Sequence, residues 1–223
     1  VIALMGPQAS AIVTRLGAET LNQIGYFRCG DAAIAGCHVT GTRLSFVGEA
    51  GWELTCKSTD APQIYDALYE HGARPAGTLA QTAMRIEKRF LSFGHDLDTD
   101  ISPLQAGLEF AVAWQTDFIG RTALEEQRNQ SITNRLVTII LDDIDAVPLG
   151  NEPVYRDGEI IGKTTSAAFG YRVGRPIAIA DLAAPAARTE NTTVDIDIAG
   201  NRATGKVTLR PAFDPAGQRM RQP

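Results

Sequence analysis

An α+β fold in two parts is what this sequence predicts, with strands and helices alternating over residues 1–128 and short strands dominating residues 129–223. Three observations carry that reading. Alternating apolar stretches and well-signed helices succeed one another in the first part, the pattern of layered α and β structure. A polar run, "EEQRNQSITN" from Glu125 to Asn134, reads as a linker or the end of a helix. Beyond it come five or six short strands bounded by turn residues, which suit a small sandwich or barrel.

The elements follow in order. "VIALMG" is an apolar strand that begins at residue 1 with no polar lead-in. In "PQASAIVTRLG", Pro7 suits the first helical position and Gly17 the position just past the helix end. Val39, Leu44, Phe46, Trp52, Leu54 and Cys56 alternate on either side of Gly48-Glu49-Ala50-Gly51, which predicts strands around a tight turn. "STDAPQIYDALYEHG" is a helix capped by Thr59 or Asp60, stopped by Gly72, with Ile64, Ala67 and Leu68 inward. "GTLAQTAMRIEKR" is a second helix, with Leu79, Ala83 and Ile86 on one face. In the second part "RLVTIIL" and "RPIAIADL" are strands, "EPVYRDGEIIGK" turns at Asp157-Gly158, and "TTVDIDIAGNRATGKVTL" turns at Gly200-Asn201.

Composition excludes several functional classes. Hydrophobic residues make up 44% and charged residues 21%, an ordinary globular balance, and 223 residues can bury a core without metal or disulfides. The net charge of -5 with scattered Lys and Arg argues against nucleic acid as a partner. No apolar run approaches the roughly 20 residues that span a bilayer, and no signal-peptide pattern opens the chain, so neither membrane insertion nor secretion is expected. Cys29, Cys37 and Cys56 are odd in number and lack CxxC spacing. They read as reduced, buried small residues of a cytoplasmic protein rather than as zinc ligands with His38, His71 and His95.

Glu49, Arg85, His95, Asp96 and Arg175 are the polar residues that stand out. Glu49 sits between glycines, which bring the backbone close to whatever lies above it. Arg85 reads from composition as a surface arginine paired with a nearby acid. His95 and Asp96 could form a dyad, but adjacent residues do not normally face each other, and a histidine held by a local hydrogen bond is the better reading. No Ser-His-Asp order, phosphate loop or Rossmann fingerprint is present.

Five motifs in order carry more than any one of them: "VIALMGPQAS", "FVGEAGWEL", "AMRIEKRFLSFGHDLDTDISPLQAGL", "FIGRTAL" and "LRPAFDPAGQRMR". Together they make the chain resemble the folate-dependent aminomethyltransferases, which include the glycine cleavage T-protein. "GEAGWEL", "FGHD" and "DPAGQRMR" are most similar to the C-terminal folate domains of dimethylglycine and sarcosine dehydrogenases. A related tRNA-modification factor carries "KGCYxGQE" where this chain has "KRFLSFGHD".

The resemblance implies ferredoxin-like α+β layers followed by a C-terminal β-barrel. It implies transfer of a one-carbon unit from a small amine-derived donor to tetrahydrofolate, within a larger protein that can carry an upstream flavin domain. Glu49 would pair with the amino-pyrimidinone edge of the pterin, since a carboxylate can accept two parallel N–H bonds. Arg85 would also contact folate. Phe46 stands where an aromatic, often tyrosine, precedes the "VGE" turn, and Phe213 matches a C-terminal aromatic. The family's catalytic aspartate lies upstream of the "VIALMGP" strand, so no catalytic residue is assigned within residues 1–223. The resemblance thus implies a fragment inactive alone and prone to self-association. The competing reading is a non-catalytic folate-binding or regulatory module.

Overall fold

The protein, described over residues 1–222 in a computed structural model, forms two compact units. The first comprises residues 1–82 and the segment from Ala216 onward; the second is Ala83–Pro215.

In the first unit β1 (Ile2–Met5) leads into α1 (Ala9–Arg15). A 3-10 turn, β2 (Cys29–Ile34), β3 (Cys37–Thr42), β4 (Gly51–Thr55) and α2 (Ala61–Glu70) follow. The strands form an antiparallel sheet in the order β1-β4-β3-β2, with Ile2 opposite Leu54 and Leu4 opposite Trp52. Its buried side packs Leu4, Val39, Trp52 and Leu54 with Ile12 and Val13 of α1 and Ile64 and Leu68 of α2. Both helices stop on a glycine. Gly17 and Gly72 adopt positive φ, and the next residue's N–H bonds back to Val13 and Leu68, closing a Schellman motif each time. Pro7 lies one residue before the cap of α1 rather than inside it, and Asp60 occupies the α2 cap position without a side-chain capping bond.

The expected tight turn at Glu49 is longer than the alternation implied. Residues 43–50 form an eight-residue connection between β3 and β4, and Phe46 belongs to it rather than to a strand. Leu44 and Phe46 are only half-buried there, and the residues that the loop buries, Arg43, Val47, Gly48 and Glu49, follow no two-residue period. Gly51 is required by packing, since a Cβ there would lie 2.1 Å from the Leu4 carbonyl oxygen and 2.7 Å from Met5 Cα.

α3 (Thr78–Glu87) begins in the first unit and ends in the second. Ala83 and Ile86 are buried, whereas Leu79 is 86% exposed, because packing on that face begins a turn later than its periodicity suggests. α4 (Arg121–Asn129) covers the start of the polar run.

Six strands then close a barrel: β5 (Asn134–Leu141), β6 (Pro153–Arg156), β7 (Glu159–Gly170), β8 (Arg175–Ala183), β9 (Thr193–Ile198) and β10 (Asn201–Thr208). Their order is β10-β5-β8-β7-β6-β9. β8 explains the near-continuous apolar run "PIAIADL". Ala178, Ala180 and Leu182 point into the barrel with Val137, Ile139 and Val207, while Ile177 and Ile179 pack outward on Ile86 of α3. Asp157-Gly158 turns between β6 and β7 with both φ positive, as predicted. The last hairpin turns on Ala199-Gly200, one residue earlier than expected. The chain ends in α5 (Gln218–Arg221), which belongs to the first unit. Among the described residues no helix is long and apolar enough to cross a membrane.

Candidate functional site

In the first unit the loop that carries Glu49 is built around one side chain. The Ser45 hydroxyl accepts hydrogen bonds from three successive backbone N–H groups, those of Val47 (3.3 Å), Gly48 (2.9 Å) and Glu49 (3.1 Å). Its own proton is directed at Met5 Sδ, 3.7 Å away. This is a serine-centred turn of the kind that competes with regular structure, and it fixes where Glu49 leaves the backbone. Gly48 supplies the positive φ (77°) that the bend needs.

The Glu49 side chain is only 11% exposed, and its Oε2 accepts from Arg219 Nε at 3.0 Å. Arg219 sits on α5, whose placement is anchored twice. Met220 is buried and takes a contact from the Tyr26 hydroxyl at 3.7 Å, and the Gln222 carbonyl accepts from the buried Arg43. Arg43 also donates to the Ile24 carbonyl at 2.9 Å and lies 5.9 Å from the Trp52 ring centroid. Burial raises the Tyr26 phenol above its ordinary pKa, with Arg221 pulling the other way. Beside Glu49 lies a cavity of about 30 Å³ lined by Gly6, Pro7, Ser10, Trp52, Arg219 and Gln222. That holds a water or two. Phe46 is half-buried on the same loop.

In the second unit Arg85 is not the surface arginine that composition suggests. It is 4% exposed. Its Nη1 donates to Asp96 and to the Phe90 carbonyl (3.2 Å), and its Nη2 donates to Ser166 Oγ at 2.8 Å. Asp96 is fully buried and accepts further from Ser92 N–H (2.9 Å) and Thr165 Oγ1 (2.6 Å). His95 is exposed while Asp96 turns inward, so the two form no dyad. The whole run "RIEKR" is engaged: Glu87 accepts from Arg172 and Val173, Lys88 pairs with Asp214, and Arg89 donates to the Leu136 and Leu209 carbonyls. Phe213 packs under the Arg172 guanidinium at 4.1 Å and donates its N–H to the Glu87 carbonyl. Arg175 is exposed and donates to the Asp142 carbonyl.

The four sequence candidates therefore divide between the units, Glu49 and Phe46 in the first and Arg85 and Phe213 in the second. Ser45 and Arg219 were not singled out by sequence. A serine four residues before the glutamate and a cationic "QRMR" tail were the available signals. The cysteines are free, as expected, but none is fully buried: Cys37 and Cys56 are half-buried, and Cys29 is exposed because it opens an edge strand. No group of three or more His, Cys, Asp or Glu among the described residues could hold a metal ion.

Residues 1–116 match the family described as GCVT N-terminal domain, and residues 134–214 match the glycine cleavage T-protein C-terminal barrel domain. The mitochondrial dimethylglycine dehydrogenase of Homo sapiens is 34% identical over 188 residues, 81% of this chain and 22% of that protein. An aminomethyltransferase of Synechococcus sp. is 31% identical over 214 residues, 95% of this chain and 59% of its own length. The crystal structure of glycine cleavage system aminomethyltransferase T from Bartonella henselae shares the fold, with a TM-score of 0.86 at 23% identity, covering 96% of this chain and 59% of that one. The chain thus spans from about a quarter to about three-fifths of the length of these relatives.

Proposed function

Because the chain belongs to the glycine cleavage T-protein family, we propose that it serves folate-dependent one-carbon transfer, from a small amine-derived donor to tetrahydrofolate. The observation that carries this reading is Glu49, a nearly buried carboxylate presented by a serine-clamped loop and oriented by Arg219. Such a group suits the flat N–H-bearing edge of a pterin, because charge-assisted pairs are strong and directional. The 30 Å³ cavity beside it does not enclose a bicyclic ring, so the ring edge would meet Glu49 at the mouth, with Phe46 on the same loop offering packing surface.

Catalysis in this reading is mainly positioning. The N5 of tetrahydrofolate is held against an iminium-level carbon of the donor and forms the first C–N bond there; N10 then forms the second by displacing the donor amine, one N–H proton leaves on that amine and the other goes to solvent, and 5,10-methylenetetrahydrofolate results. In this reading the carboxylate that steers the proton belongs to a segment upstream of these residues, in a longer protein of a kind that can carry a flavin domain. Arg85 and Phe213 carry over as folate contacts by resemblance alone. Against that role for Arg85 stand its buried bonds to Asp96 and Ser166. Exposed Phe110 and Ile119 support a tendency of the isolated chain to self-associate.

Calorimetric titration of the full-length protein with 5-formyltetrahydrofolate tests the proposal, since residues 1–223 alone are expected to bind folate weakly or not at all. Binding is expected, and Glu49→Gln should weaken it by about 1.5–3 kcal/mol, the range for a hydrogen bond to a charged group. Unchanged affinity in the variant would return Glu49 to a purely structural role. Binding without product, when tetrahydrofolate and an amine donor are supplied to the full-length protein, would instead favour a non-catalytic binding module.

A further inference from the structure

Two guanidinium groups of the second unit stand together, and neither has an ion-pair partner among the described residues. Arg89 reaches from the end of α3 and donates to the Leu209 carbonyl at 2.8 Å and to the Leu136 carbonyl. Arg135, at the start of β5, is exposed, and its side chain has no hydrogen-bond or ion-pair partner among the described residues. Both point at Gly107. A Cβ placed on that glycine would lie 3.2 Å from Arg135 Nη2 and 3.5 Å from Arg89 Nη2.

Three features make this arrangement costly unless something answers it. The carbonyls that hold Arg89 take hydrogen bonds but bring no negative charge, so two like charges share one spot. Burial and the neighbouring Arg135 together pull Arg89 down to a pKa of about 10, burial being the larger cause. Arg89 also keeps φ at 53°, a conformation that glycine adopts without strain. Neither residue is used in the folate proposal.

We propose that Arg89 and Arg135 form a binding site for a small oxyanion, a carboxylate or phosphate group of a solute, which seats over Gly107. The planar forks of two arginines match oxygen pairs of either group. Gly107 leaves the approach open, since a side chain there would crowd both Nη2 atoms. Arg135 supplies the exposed half of the grip and Arg89 the half held by the two carbonyls.

The test is thermal shift and calorimetry on residues 1–223, with inorganic phosphate and glutarate compared against sodium chloride at equal ionic strength. One or both oxyanions should raise the melting temperature beyond chloride. Arg135→Gln, which removes an exposed side chain with no partner, should weaken that binding at least tenfold while leaving the chloride baseline in place. A response to phosphate alone assigns the site to phosphoryl groups, one to glutarate alone to carboxylates, and one to both to their shared chemistry. No response above chloride, or equal binding by Arg135→Gln, overturns the proposal.

Discussion

The Glu49 loop and the "RIEKR" run both carry residues expected to meet folate, yet they hold their charges in opposite ways. Glu49 rests on one serine-centred turn and one ion pair, whose arginine is 43% exposed. Arg85 sits in a lattice with Asp96, Thr165, Ser166 and Ser92, in which Arg85, Asp96 and Ser166 are buried and Thr165 and Ser92 half-buried. In the first, one partner of the ion pair reaches solvent. The second ties α3 and the following loop to the barrel strand β7. A charged residue in a family motif can thus be enclosed by the scaffold together with its partner, as Arg85 is, or be buried against a partner that itself reaches solvent, as Glu49 is.

The contrast is broken most directly at Arg85. Arg85→Ala leaves the Asp96 carboxylate buried without its cation, and should destabilise the protein by about 3–5 kcal/mol. Urea denaturation measures it. A loss under about 1 kcal/mol, with folate affinity reduced, would move Arg85 from scaffold to ligand. Ser45→Ala comes next: three N–H groups lose their acceptor, and with water able to replace part of it the expected cost is about 1–3 kcal/mol. Folate affinity should fall with it, since Glu49 leaves the backbone from that turn; a stable variant with unaltered binding would show that the clamp does not aim Glu49. Arg219→Ala should cost no more than about 1 kcal/mol of stability, because the pair is partly solvated. Its effect should appear in ligand titrations instead, with Arg219→Lys restoring part of the loss. A large drop in melting temperature without a change in binding would place Arg219 in the scaffold beside Arg85.

How much of this was legible in the sequence varies with the physics of each region. The barrel was, because alternation and turn chemistry act locally: Asp157-Gly158 needs positive φ whatever surrounds it. The helix stops at Gly17 and Gly72 were legible for the same reason. Glu49 could be picked out by its glycines, but the cause was misread for Gly51, whose missing side chain makes room for the β1 backbone rather than for a ring. Ser45 was hidden because a hydroxyl that gathers three N–H groups leaves no periodic trace. Burial of Arg85 was hidden because a run of charges on a helix reads as a wet face, and only the strand and loop that arrive later supply its partners. Leu79 shows the converse, a residue on the apolar face with nothing packed against it.

Arg219 and the serine-clamped loop it meets are separated along the chain by the entire barrel unit. During synthesis the strands around Glu49 leave the ribosome long before the tail that pairs with it. At the usual rate of about 5–20 residues per second, the gap is on the order of ten seconds or more. The first unit must therefore wait in an unfinished form, with Arg43, Tyr26 and Glu49 lacking their C-terminal partners, until the last turn of helix emerges. Maturation of the carboxylate pocket therefore waits on the segment after Pro215, and a chain cut there would keep every barrel strand while the Glu49 loop lacked Arg219.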